Sequence, residues 1–107
     1  MSTAQTDTLA RLFATVESRK GADPETSWTA RLFDKGPQKC AEKFGEEAIE
    51  AVVAAAVNDR DNLVYEAADV LYHMAVMLAA RDVSLQEVLT ELDRRHGTSG
   101  IAEKASR

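Results

Sequence analysis

Five carboxylates could carry chemistry in this sequence: Glu46, Glu47 and Glu50 within Lys43-Phe44-Gly45-Glu46-Glu47-Ala48-Ile49-Glu50, and Glu66 and Asp69 within Glu66-Ala67-Ala68-Asp69. Both stretches otherwise read as buried, Ala- and Val-rich helices, where acids are expensive unless a cation meets them. Glu47 with Glu50, and Glu66 with Asp69, are spaced i, i+3, so each pair points the same way from its own helix, and like charges at that spacing repel. No Lys or Arg lies between Phe44 and Asp59 to relieve them. A divalent cation would do so, and all-oxygen ligation selects Mg²⁺, with Mn²⁺ as a substitute, over zinc or copper. A di-iron bundle needs Glu-x-x-His, whereas the i+3 partners here are Glu and Asp. The competing reading is a solvated acidic face on a metal-free helical dimer that acts as an interaction module.

The positioning elements are all helical. Pro37 suits a first helical position, and no proline interrupts Gln38 to Val57, which predicts a long central helix. Asn58-Asp59-Arg60-Asp61 is a polar break, after which Leu63, Ala67, Val70, Leu71, Met74 and Leu78 restart the helical period as far as about Arg81. If the two helices form an antiparallel hairpin turning at Asn58, Glu50 faces Glu66 and Glu47 faces Asp69, and four carboxylates converge. Leu9, Leu12, Phe13 and Val16 mark an earlier amphipathic helix, capped by Thr6 or Asp7 and ending near Arg19. Ser27 to Phe33 makes only a short helix within a loop. Ser84-Leu85-Gln86-Glu87 is a capping-box pattern, and Arg94-Arg95-His96-Gly97 a basic last turn closed by glycine. The expected fold is all-α: an antiparallel helical hairpin with flanking helices, completed as a four-helix-bundle-like core by homodimerisation, because one hairpin leaves apolar stripes unpaired.

The chain has 107 residues and a net charge of −5, which fits one domain (residues 1–107, with 1–8 and 98–107 as flexible or arm-like ends) and argues against a nucleic-acid or anionic-membrane partner. No apolar run reads as a membrane span and residues 1–8 lack signal-peptide order, so a cytoplasmic location is expected. The single Cys40 can make no internal disulfide and reads as a small core residue.

Glu-Glu-x-x-Glu at 46–50 followed by Glu-x-x-Asp at 66–69 resembles the all-α nucleoside-triphosphate pyrophosphohydrolase (MazG-like) superfamily. Pro24-Glu25-Thr26-Ser27-Trp28-Thr29, Lys39, Lys43 to Ala48, Glu66 to His73 and Arg95-His96-Gly97-Thr98-Ser99-Gly100 narrow this to a resemblance to the phosphoribosyl-ATP pyrophosphatase family, over nearly the whole chain from Leu9. The resemblance implies Mg²⁺-dependent hydrolysis of 1-(5-phosphoribosyl)-ATP to 1-(5-phosphoribosyl)-AMP and pyrophosphate, the second step of histidine biosynthesis. It places the metal on Glu47, Glu50, Glu66 and Asp69. Glu46 and Glu47 are then the catalytic carboxylates, Glu46 positioning or deprotonating the attacking water or else serving as a further ligand. The nearest rival within this chemistry is a house-cleaning hydrolase of another nucleoside triphosphate, which the loop before Gly36 disfavours.

A small phosphorylated nucleotide also needs cations and a stacking surface. Lys39 and Lys43 sit one turn apart, and Lys43 one turn before Glu47, so both can line the mouth of the acidic site, or make ordinary helical ion pairs. Arg19 and Lys20 flank the irregular loop carrying Trp28 and Thr29, a lid in which the indole stacks on the purine or instead packs in the core. His73, one turn after Asp69, either touches phosphate or is a satisfied core histidine.

Overall fold

A computed structural model describes residues 3–97, 100, 104 and 105, with side chains from residue 7. Its elements in chain order are α1 (Thr3–Ser18), α2 (Trp28–Asp34), α3 (Pro37–Ala56), α4 (Arg60–Ala80) and α5 (Leu85–Arg95), and no strand occurs among the described residues. The all-α class and the central hairpin are as expected. Helix α1 starts earlier than anticipated, so Thr6 and Asp7 lie inside it rather than capping it. The expected arm at 98–107 falls almost wholly outside the described residues.

Two caps set the hairpin. At the end of α3, Asn58 adopts φ 60°, while its N–H reaches Ala55 O (3.2 Å) and that of Asp59 reaches Ala54 O (3.0 Å). This is a left-handed helix stop that usually employs glycine, with asparagine as the tolerated substitute. Asp82 repeats it after α4 at φ 59°, with Val83 N–H on Leu78 O at 2.9 Å. Asn58→Val places a β-branched side chain at positive φ and is expected to cost about 1–2 kcal/mol. A lower thermal midpoint for Asn58→Val, but not for Asn58→Gly, checks this; equal midpoints for all three proteins would contradict it. Helix α5 begins with the anticipated capping box: Glu87 N–H donates to Ser84 Oγ, and Ser84 N–H to Glu87 Oε2 at 2.8 Å.

The core lies at one end of the hairpin. Val16, Leu32, Cys40, Ala75, Val76 and Ala79 are buried together, with Leu12, Phe13, Phe33 and Tyr72 packed around them. The Cys40 thiol donates to Leu32 O at 3.3 Å, and burial pushes its pKa up, as suits an inert core residue. Helices α1 and α2 therefore cover the first half of α3 and the second half of α4. The half nearer Asn58 projects beyond them, leaving Ile49, Val52, Val53, Val57, Val64 and Tyr65 more than half exposed. The radius of gyration of 15.8 Å, against about 13 Å for a compact chain of this length, reflects that projection.

One expectation needs correction. Helix α4, at 21 residues and a mean hydropathy of 1.3, is long and apolar enough to qualify as a membrane span by composition. Here it is the core helix, packed on α1, α2 and α3, with Glu66 and His73 among its buried residues. Its buried apolar residues lie in the second half of the helix; Val64 and Tyr65 in its first half are exposed.

Candidate active site

The hairpin brings Glu47 from α3 and Glu66 and Asp69 from α4 together, with one ligand-capable oxygen from each lying within 4.8 Å of the others. Glu47 and Glu66 are only 8% and 9% exposed, which makes the cluster unusual, since buried carboxylates are normally paired and hydrogen-bonded. The Lys43 ammonium reaches Glu47 Oε1 at 3.3 Å. Glu66 Oε2, by contrast, is buried with no hydrogen-bond partner. Three acids with one lysine and an orphaned oxygen form a hard, electron-rich pocket whose donor chemistry fits Mg²⁺ or Mn²⁺.

Glu50 stands apart from this group. It lies one turn beyond Glu47 and is exposed, so three carboxylates converge where four were expected. The register faces Glu50 with Glu66, and the Glu50 side chain is exposed in the uncovered half of the hairpin. Glu46 is exposed too, and it turns to a different surface.

That surface is a cleft of about 610 Å³ between α2 and α3. Trp28, Leu32 and Lys35 form one wall, and Lys39, Lys43, Glu46 and Ile49 lie along the other. Helical spacing explains the division: Lys39, Lys43, Glu46 and Ile49 recur every three or four residues along one face of α3, while Glu47, one residue on, turns toward α4. Glu46 is thus a carboxylate of the cleft beside the triplet without belonging to it. A second groove of about 480 Å³, between α1 and the α4–α5 corner, is lined mainly by apolar residues such as Phe13, Val83 and Leu89 and lies away from this chemistry.

The cations and aromatics predicted around the site divide. Lys39 and Lys43 line the cleft, Lys39 also pairing with Glu42 at 3.4 Å. Trp28 is 51% exposed, so it is a cleft wall and not a core residue; Lys35 Nζ lies 5.5 Å and Arg31 Cζ 5.9 Å from its ring centroid. Thr29 is otherwise engaged: its hydroxyl shares a 2.5 Å hydrogen bond with that of Tyr72, tying α2 to α4. Lys20 is also placed elsewhere than expected. It bridges Asp82 at 2.7 Å and Glu17 at 3.2 Å beside Pro37 and Ala80, about 15 Å along the hairpin from the carboxylates. Its pKa is raised, chiefly by the hydrogen bond to Asp82. Arg19 is exposed and does not line the cleft.

His73 is 5% exposed and does not line the cleft, so it cannot touch a ligand there directly. It sits behind the carboxylates with Nδ1 unpartnered, and its ring meets that of Tyr72 edge-on at 4.9 Å. Burial lowers its pKa, with the nearby Glu47 charge opposing that effect. Lys35 went unnoticed in the sequence. It precedes Lys39 by four residues, but Gly36-Pro37 breaks the helix between them and hides the cleft they share.

Residues 9–96 match the family model described as phosphoribosyl-ATP pyrophosphohydrolase. The chain is 81% identical over 99 residues to a protein of Rhodobacter capsulatus named phosphoribosyl-ATP pyrophosphatase, covering 92% of this chain and 96% of the relative. Proteins of the same name from Cereibacter sphaeroides and Jannaschia sp. are 70% and 65% identical, each over 92% of this chain and 96% and 97% of their own lengths. With the family model spanning most of the chain and relatives this similar covered almost end to end, this chain belongs to the phosphoribosyl-ATP pyrophosphohydrolase family.

Proposed function

We propose that this chain hydrolyses phosphoribosyl-ATP to phosphoribosyl-AMP and pyrophosphate, with Mg²⁺, or Mn²⁺ in its place, held by Glu47, Glu66 and Asp69. Family membership supports the substrate over other nucleoside triphosphates. The observation that carries the metal is the orphaned, buried Glu66 Oε2 inside a triplet of carboxylates. A metal-free interaction module would leave that desolvation uncompensated. Glu50, on the next turn of α3, offers a fourth carboxylate.

When bound, the cation supplies charge neutralisation on the phosphate oxygens and Lewis acidity. The remaining work falls to the chain itself. Glu46, in the cleft and outside the triplet, orients the attacking water and accepts its proton as the new P–O bond forms and the α–β anhydride P–O bond breaks, releasing pyrophosphate. Lys43 exchanges its contact with Glu47 for an oxygen of the triphosphate, and Lys39, one turn away, faces the same cleft as a further phosphate donor for the rest of the substrate. Trp28 offers an indole face to the purine. His73 is buried near the carboxylates with its Nδ1 unpartnered, and Thr29 holds α2 to Tyr72 so that the Trp28 wall keeps its place.

The same reading calls for a homodimer. A second copy of the hairpin would cover the exposed apolar residues of its projecting half, Ile49, Val52, Val53, Val57, Val64 and Tyr65. Light scattering is expected to give twice the chain mass for the wild type and a smaller mass for Val53→Glu; a monomeric wild type contradicts it.

Incubation with phosphoribosyl-ATP and Mg²⁺ in ¹⁸O-water tests the activity. Turnover incorporates one label, into phosphoribosyl-AMP for attack at the α-phosphorus or into pyrophosphate for attack at the β. No turnover overturns the assignment.

A further inference from the structure

The cleft contains a cation for which the chemistry at the carboxylates has no use. Lys35 is exposed, it makes no ion pair among the described residues, and its ammonium rests over the Trp28 ring at 5.5 Å. On the opposite wall, Lys39 is held only by the exposed Glu42. Lys39 lies eight residues, or about 12 Å along α3, before Glu47, and Lys35 caps α2 on the other side of the Gly36 break in sequence.

Phosphoribosyl-ATP is anionic at both ends. Its triphosphate stands on one ribose, a phosphomonoester on the 5-carbon of the other, and the purine separates them. One cleft holds groups suited to each part: Glu46 with Lys43, whose ammonium meets Glu47; the exposed Trp28 ring; and Lys35 and Lys39, which flank in sequence the turn from α2 into α3.

We infer that Lys35, with Lys39, forms a phosphomonoester subsite that binds the 5-phosphate of the phosphoribosyl group and so selects phosphoribosyl-ATP over ATP. The inference rests on the proposed substrate. Lys35 waits on the indole face and exchanges that cation–π contact for the phosphate as the purine takes its place over the ring. Because the interaction is far from the reacting phosphorus, it contributes equally to ground and transition states, and its loss falls on KM.

Steady-state kinetics and ³¹P NMR titration with ribose 5-phosphate test it. Ribose 5-phosphate is expected to bind the wild type and compete with phosphoribosyl-ATP, whereas ribose does neither. Lys35→Gln should raise both KM and the ribose 5-phosphate dissociation constant by about 10- to 100-fold, as for a lost charge-assisted contact, with kcat far less affected. Lys35→Arg should retain most of the affinity, and Arg60→Gln, a charge removal at the opposite end of the hairpin, should change neither constant. Ribose 5-phosphate binding that is absent from the wild type, or that survives Lys35→Gln undiminished, overturns the subsite. Should the wild type fail to turn over phosphoribosyl-ATP yet bind ribose 5-phosphate through Lys35, the substrate reading fails and the subsite stands.

Discussion

Glu66→Gln is expected to lower the rate of phosphoribosyl-ATP hydrolysis by about 10³-fold or more while making the metal-free protein more stable. The rate loss follows from the proposed ligand role: transition-state charge stabilisation by a bound metal amounts to several kcal/mol, and each 1.36 kcal/mol is tenfold. The gain in stability follows from what Glu66 costs without a metal. Its Oε2 is buried without a partner, and two further carboxylates offer oxygens within 4.8 Å. Replacing a charged group by a neutral amide of the same size removes like-charge repulsion and part of the desolvation, about 1 kcal/mol or more. Thermal melting in EDTA and in Mg²⁺ reads both consequences. The wild type should melt higher with Mg²⁺, and Glu66→Gln should melt higher than wild type in EDTA and ignore the metal. A variant less stable in EDTA, with its Mg²⁺ response intact, would show that Glu66 serves the fold instead.

Glu46→Gln should have a different signature. Glu46 lines the cleft and does not belong to the triplet, so its amide variant is expected to keep the Mg²⁺ response and lose about 10²- to 10⁴-fold in kcat, the range for a positioned general base. KM should change little, because the residue is assigned to the water and not to the substrate's phosphates. If Mg²⁺ stabilisation disappears along with activity, Glu46 is a ligand. If kcat is retained, the proton goes elsewhere.

Much of this arrangement could be read in the sequence because a hairpin obeys simple arithmetic. Asn58 is a capping residue in a polar break, and folding the chain there aligns Glu47 with Asp69 and the neighbouring Glu66. The same arithmetic sets backbones against each other and so brings Glu50 opposite Glu66; it does not say which way the exposed Glu50 side chain turns. Positions set by contacts distant in sequence were not legible. Lys20 reads as a phosphate binder from its place beside a loop, yet its partner Asp82 is 62 residues away and exists as a neighbour only after α4 packs on α1. Thr29 likewise meets Tyr72 across 43 residues. Lys35 was hidden by the Gly36-Pro37 break, since helical periodicity cannot be carried through a change of helix. The exposed valines of α3 read as core because apolar periodicity does not say which molecule supplies the covering surface.

As a divalent-cation site, the buried triplet of Glu47, Glu66 and Asp69 should bind Mn²⁺ in place of Mg²⁺. The most direct measurement is a Mn²⁺ titration followed by electron paramagnetic resonance, comparing the wild type with Glu66→Gln and Asp69→Asn. Saturable binding by the wild type, displaced by Mg²⁺ and lost in both variants, is the predicted result. Mn²⁺ binding that is absent from the wild type, or unaltered by both substitutions, would contradict it.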